Sequence, residues 1–306
     1  MFTFLKRISL FLITNLAVLA LLSVVLMAIQ FFFPNLLAQF GNMGAILIYA
    51  IIFGFGGAII SLFISRWQAK KAYNITLLDP TSIHTLDTKL QLVYETVERI
   101  AKSNNITTPE VGYYESAEPN AFATGATKNS ALVAVSTGLL NNMKDTEISG
   151  VIGHEMAHIL NGDMVTLTLI TGVLNTFVIV LSQVASRFIA NFLSRGEESE
   201  GISHLSYMVT YMVLQTIFGL LASFIIMWFS RQREYRADLG GATYTSKQSM
   251  IHALEKLQSI TKLAPPTQLD HGNLKAFMIT EPDSFFSTHP SLDNRIKALE
   301  ENYKLA

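Results

Sequence analysis

Two stretches of the chain, Ile8 to Phe33 and Met43 to Ile64, contain no charged side chain. As helices, both are long enough to cross the ~30 Å hydrocarbon core of a bilayer. Backbone groups in hydrocarbon must bond within the segment, so spanning stretches of this kind form helices. Pro34 to Asn42 makes a short polar turn between them. Lys6 and Arg7 precede the pair, Arg66, Lys70 and Lys71 follow it, and the turn has no basic residue. By the positive-inside rule, the N-terminus and everything after Ile64 face the cytoplasm. A cleaved leader fits poorly: the first run exceeds an apolar signal region of about 7–15 residues, and no Ala-x-Ala site follows it.

Met164 to Ser186 and Leu205 to Phe229 are two further apolar runs. Asn175, Gln183 and several threonines interrupt the first of these, and Arg187 ends it. Arg195, Glu197, Glu198 and Glu200 lie between the two runs. On length they read as a second membrane hairpin; the alternative is a partly shielded pair leaning on a catalytic domain. The expectation is about four transmembrane helices in a multi-pass membrane protein. The chain is 50% hydrophobic and only 15% charged, against about 25% charged in typical soluble domains. A net charge of −1 gives no reason to expect a nucleic-acid partner. There is no cysteine, so disulfides, thiol nucleophiles and cysteine-bound zinc are excluded. Any metal must be held by His, Asp or Glu.

Between and after the apolar pairs the sequence is that of a water-exposed domain. Leu86, Leu90, Val93, Val97 and Ile100 recur in steps of four and three, the spacing of an amphipathic helix, which Asn104-Asn105 ends. Short β-like runs follow near Val111–Tyr114, Ala121–Thr124 and Ala131–Val135, separated by Pro119 and Gly125. A helix is expected to start with Asp145 as its N-cap. Met250, Leu254, Leu257 and Thr261 mark one helix face, Pro265-Pro266 breaks that helix, and a last helix is expected to open at Pro290. The fold class is therefore α+β, mainly helical, with a small β-sheet. The domain boundaries read as 1–66 for an N-terminal hairpin, 67–163 and 230–306 for two parts of one catalytic domain, and 164–229 for the second hairpin.

The helix after Asp145 carries His154-Glu155-Met156-Ala157-His158. Residues four apart lie on one helical face, so both imidazoles can hold one metal ion. Glu155 then lies beside the metal, where it can take a proton from the attacking water and deliver it to the leaving amine. The apolar flanks Ile148, Val151, Ile152, Ala157 and Ile159 allow the helix to be buried. A polar stripe on a surface helix is the ordinary alternative. A catalytic zinc needs a third protein ligand. The metzincin extension is absent, since Val165 to Ile170 contain no His. His84, His204, His252 and His271 have no partner at ligand spacing. Glu234 and Asp238, four apart in Arg231-Gln232-Arg233-Glu234-Tyr235-Arg236-Ala237-Asp238, can serve as ligand and as acceptor for a ligand's Nδ1–H. A solvated charge run at a membrane surface explains that segment equally well. Asp163 either supports a ligand His or ends the helix, and the latter reading is preferred.

The chain resembles the M48 peptidases, and among them the membrane-bound heat-shock proteases. The match covers nearly the whole sequence: the N-terminal spans, Pro119-Asn120-Ala121-Phe122-Ala123-Thr124-Gly125, the His154–His158 motif, Asn161-Gly162-Asp163, the second apolar pair, Glu234 to Asp238, and Thr288-His289-Pro290. The resemblance implies a thermolysin-like (gluzincin) domain with one zinc ion per chain held by His154, His158 and Glu234. Asp238 would support a ligand, and His289 would stabilise the oxyanion unless it merely caps the helix ahead of Pro290. The segment at Asn120 would be the edge strand that pairs with substrate. Asn120 either contacts substrate or is an ordinary turn residue. The implied activity is endopeptidase cleavage of misfolded or damaged membrane proteins, in stress response and quality control at a bacterial cytoplasmic (inner) membrane, with the active site on the cytoplasmic side. Two rivals remain. A prenyl-protein protease of the same group resembles a larger helical bundle than these four runs provide. A zinc-stabilised adaptor without activity has no need of Glu155.

Overall fold

A computed structural model describes residues 31, 41–193, 200–263 and 289–302. The first apolar run lies outside the described residues except for Phe31, as do residues 34–40 and 194–199, Pro265-Pro266, His271 and Thr288. The chain divides into two compact units, one within Met1–Ser61 and Leu167–Ile226, the other within Leu62–Thr166 and Met227–Ala306.

Three helices among the described residues are long and apolar enough to cross a membrane: α1 (Gly41–Tyr73), α5 (Asp163–Leu193) and α6 (Glu200–Tyr244). Phe188 is 72% and Met212 62% exposed. A water-soluble protein would bury such side chains, whereas lipid covers them without cost. In the first unit α1 and α5 touch where Thr176 Oγ1 donates to Ala50 O at 3.3 Å and to Gly172 O at 2.8 Å. The apolar run from Leu205 does not end its helix at Phe229. α6 continues unbroken to Tyr244 and carries Glu234 and Asp238 on its last turns.

The second unit is a four-stranded sheet with helices packed on it. Its strands are β1 (Thr76–Leu77), β2 (Glu110–Tyr114), β3 (Ala121–Thr127) and β4 (Ser130–Ser136), in the order β1-β2-β4-β3. β2 and β4 run parallel; the other pairings are antiparallel. The expected break at Gly125 is a bulge instead: β3 passes through it with φ +145° and a register shift before Thr127. Among the described residues β3 pairs with β4 alone, so it is an outer strand. The amphipathic helix is α2 (Thr88–Ser103), and Leu90, Val93, Val97 and Ile100 enter the core as their spacing requires. α3 (Thr137–Asn142) leads into the motif helix α4 (Asp145–Asn161). Asp145 is the first helical residue rather than the cap; Glu147 closes the N-terminus by accepting the Lys144 N–H at 2.8 Å. Gly162, with φ +70°, ends α4 in the left-handed conformation. α7 (Lys247–Leu263) and α8 (Leu292–Asn302) complete the unit. Pro290 lies before α8, not at its first position, and Ser291 Oγ accepts the Asn294 N–H at 3.3 Å.

Candidate metal centre

α4 is buried around most of its circumference, with Ile148, Ile152 and Met156 fully enclosed. Such a helix can approach another helix closely only through small residues. A Cβ on Gly241 of α6 would stand 2.9 Å from His154 N, and one on Gly153 would stand 3.0 Å from Gly241 O. This glycine contact lets the last turns of α6 reach the motif.

His154 and His158 face each other with their Nε2 atoms 3.1 Å apart. Glu234 Oε2 lies 3.4 Å from His154 Nε2, and its Oε1 lies 3.5 Å from His158 Nε2. All three residues are buried, and their ligand atoms lie within 4.8 Å of one another. The outer nitrogens are also held: His154 Nδ1 meets Asp238 Oδ1 at 2.9 Å and His158 Nδ1 meets Asp163 Oδ2 at 2.6 Å. Each carboxylate accepts an Nδ1–H, which leaves both Nε2 lone pairs turned inward. Two lone pairs and a carboxylate at this separation repel one another unless a cation stands among them. The donor set fits a metal ion that takes imidazole and carboxylate ligands. Burial opposes protonation of His154, but its hydrogen bonds to Asp238 and Glu234 outweigh burial and hold its pKa up at about 9.

Glu155 is 5% exposed on the same helix. Burial pushes its carboxyl pKa up, while His154, His158 and a hydrogen bond to the Ala123 backbone work against that shift. The bond to Ala123 ties β3 to the motif. Asn120 stands just before that strand and is 6% exposed. Its N–H donates to Ser136 Oγ and its Nδ2 to the Tyr114 hydroxyl, both at 2.9 Å. Its Oδ1 is buried with no hydrogen-bond partner among the described residues, which an ordinary surface-turn Asn would not show. His289 Nδ1 lies 2.9 Å from Glu234 Oε2, so it reaches the centre, and Ser291 does the capping.

Two residues depart from the sequence reading. Asp163 does more than end a helix; it is the partner of His158. Arg295 on α8 is fully buried and bonds Asp238 twice, through Nε at 2.8 Å and Nη2 at 2.6 Å. Its Nη1 lies 3.7 Å from Glu234 Oε2. Asp238 and Glu234 hold the Arg295 guanidinium firmly charged against the effect of burial. A signal was present in the sequence: Leu292, Ile296 and Leu299 pack into the core, and Arg295 falls in the same i, i+3, i+4, i+7 stripe. A charge in an apolar stripe calls for a buried partner. Thus the structure brings together His154, Glu155, His158, Glu234, Asp238 and His289, all named from the sequence, with Asp163, for which the helix-ending reading was preferred, and Arg295, which was not named.

A family model described as Peptidase family M48 matches residues 88–303. The chain is 47% identical over 302 residues to "Protease HtpX" of Tolumonas auensis, covering 97% of this chain and 99% of the relative. It is 45% identical over 299 residues to "Protease HtpX" of Thioalkalivibrio sulfidiphilus, covering 96% and 98%. It is 46% identical over 298 residues to "Protease HtpX homolog" of Neisseria meningitidis, covering 96% and 99%. Its fold is similar to the crystal structure of S. mikatae Ste24p, with TM-score 0.61 and 21% identity, covering 96% of this chain and 67% of that one.

Proposed function

The chain belongs to peptidase family M48, and from that premise we propose that it is a membrane-embedded zinc endopeptidase of thermolysin-like layout. The observation that carries the proposal is the buried meeting of His154, His158 and Glu234, with Glu155 beside it and a carboxylate behind each imidazole. Zinc is the metal that this ligand set suits best, and His154, His158 and Glu234 would hold it. When bound, it supplies Lewis acidity to the scissile carbonyl and lowers the pKa of the attacking water towards about 7. Asp238 and Asp163 hold the two imidazoles in the tautomer that ligates. Glu155 takes the proton from the water and hands it to the leaving amine; burial makes its carboxylate a stronger base for the first transfer. His289 donates to the oxygen that gains charge. Asn120 Oδ1 accepts an N–H from substrate, and the outer edge of β3 pairs with the extended chain.

Pairing through the backbone reads little sequence, which suits misfolded or damaged polypeptide. Three long apolar helices support anchorage in a membrane, and tethering raises the local concentration of membrane-inserted substrates. The flanking Arg and Lys residues support a multi-pass placement in a bacterial cytoplasmic (inner) membrane with the centre on the cytoplasmic side. In this scheme residues 67–163 and 230–306 form one protease domain interrupted by the hairpin 164–229, and residues 1–66 form the N-terminal hairpin. Quality control of membrane proteins under stress is the role that follows. Purified protein with an unfolded, unprenylated substrate such as casein tests the chemistry. Wild type should cut it, while Glu155→Gln should retain zinc and lose cleavage by at least a hundredfold. Equal cleavage by both proteins would remove Glu155 from the mechanism.

A further inference from the structure

Where β3 ends, the second unit contains a groove of about 320 Å³. Residues 125–128 form one wall, and Ile159, Gly162 and residues 164–166 form the other. The lining is mostly apolar, and the volume falls at the lower end of ligand-sized clefts, about 300–1,000 Å³. Two glycines shape the walls. At Gly125 the φ of +145° and the Ser130 O only 2.2 Å from a would-be Cβ require glycine where β3 bends beside β4. At Gly162 nothing lies within 4 Å of where a Cβ would stand.

The groove and the reacting centre share one strand, β3. Ala123, which bonds Glu155, marks the reacting end of β3. A strand advances about 3.3 Å per residue, so Gly125 and Thr127 lie roughly 7 and 13 Å farther along the same outer strand. A polypeptide laid along β3 in extended form reaches the groove two to four residues from the bond at Glu155.

We propose, resting on the endopeptidase reading, that this groove binds one large apolar side chain of the substrate, two to four residues from the cleaved bond. Val165, 36% exposed in the wall, contacts that side chain. The enzyme then selects extended segments carrying a bulky apolar residue at a set distance. Folded proteins bury such residues and misfolded ones expose them.

The test uses full-length protein in detergent and quenched-fluorescence peptides that differ only in where a single Leu replaces Ala, from one to five residues on either side of the cut. The expected result is a kcat/KM about tenfold higher for Leu at one position, two to four residues away on one side. Val165→Asp should bring that ratio to near one, Val165→Leu should keep it, and unchanged zinc content reports that both variants fold. A flat profile in wild type, or a tenfold preference that survives in Val165→Asp, overturns the proposal. So does a flat profile accompanied by activity that varies with detergent chain length, which would assign the groove to an acyl chain. If casein is cut but no position is preferred, the groove assignment alone falls. If wild type cuts neither casein nor peptide, the endopeptidase reading falls as well.

Discussion

Arg295 illustrates how much of this centre depends on residues that never touch a metal ion. Its guanidinium holds Asp238 by two bonds, and Asp238 holds His154. Arg295→Met leaves the Asp238 carboxylate buried with one partner fewer. The expected loss of stability is about 3–5 kcal/mol, as for other broken buried pairs, read as a lowered denaturation midpoint in detergent. Asp163→Asn keeps the shape but replaces the acceptor that fixes the His158 tautomer. Zinc affinity measured by competition with a chelator should fall about 10–100-fold; an unchanged affinity would show that the bond to Asp163 does not support metal binding. The motif itself was legible because four-residue spacing maps directly onto one helical face. Glu234 was not legible from spacing alone, since a charge run in sequence looks the same whether it is solvated or buried. Asp163 was misread because a helix-ending Asp and a ligand-holding Asp differ only in where the next helix turns.

α4 and α6 are joined at the candidate centre through the contact of Gly153 and Gly241. Gly241→Ala places a Cβ 2.9 Å from His154 N, so one helix must move. The expected cost is about 1–3 kcal/mol, and a displacement near 1 Å costs about a hundredfold in kcat for casein cleavage. Wild-type kinetics in this variant would show that helix spacing does not limit the site. Ser136 has a similar joining role between strands: its Oγ accepts the N–H groups of Asn120 and Leu139 and donates to Glu118 O. Ser136→Ala should cost about 1–2 kcal/mol through the lost cap of α3, with faster hydrogen exchange at the Asn120 amide. The longer helices and the three longer strands followed from periodicity and composition. α3 and β1 did not, because six and two residues carry too little pattern. The passage of β3 through Gly125 was also hidden, since a glycine that bends a strand and one that ends it look alike in sequence.

On the scale of the whole chain, the proposed ligands come from segments far apart in sequence, with the apolar stretches of α5 and α6 between them. His154 and His158 belong to α4, and Glu234 to the far end of α6. The apolar run was visible in the sequence, but its continuation as one helix into the metal centre was not, because hydropathy stops at Phe229 while the backbone bonding does not. A chelator should therefore abolish casein cleavage, and zinc should restore it. Carbonate washing should leave the protein in the membrane pellet. The central claim is that one zinc ion joins these two segments. Zinc per chain, measured by mass spectrometry on purified wild type and Glu234→Ala alongside casein cleavage, tests it most directly. One zinc per wild-type chain, less than about a tenth of that in Glu234→Ala, and a matching loss of cleavage are the predicted result. Unchanged zinc in Glu234→Ala would contradict it and move the third ligand elsewhere.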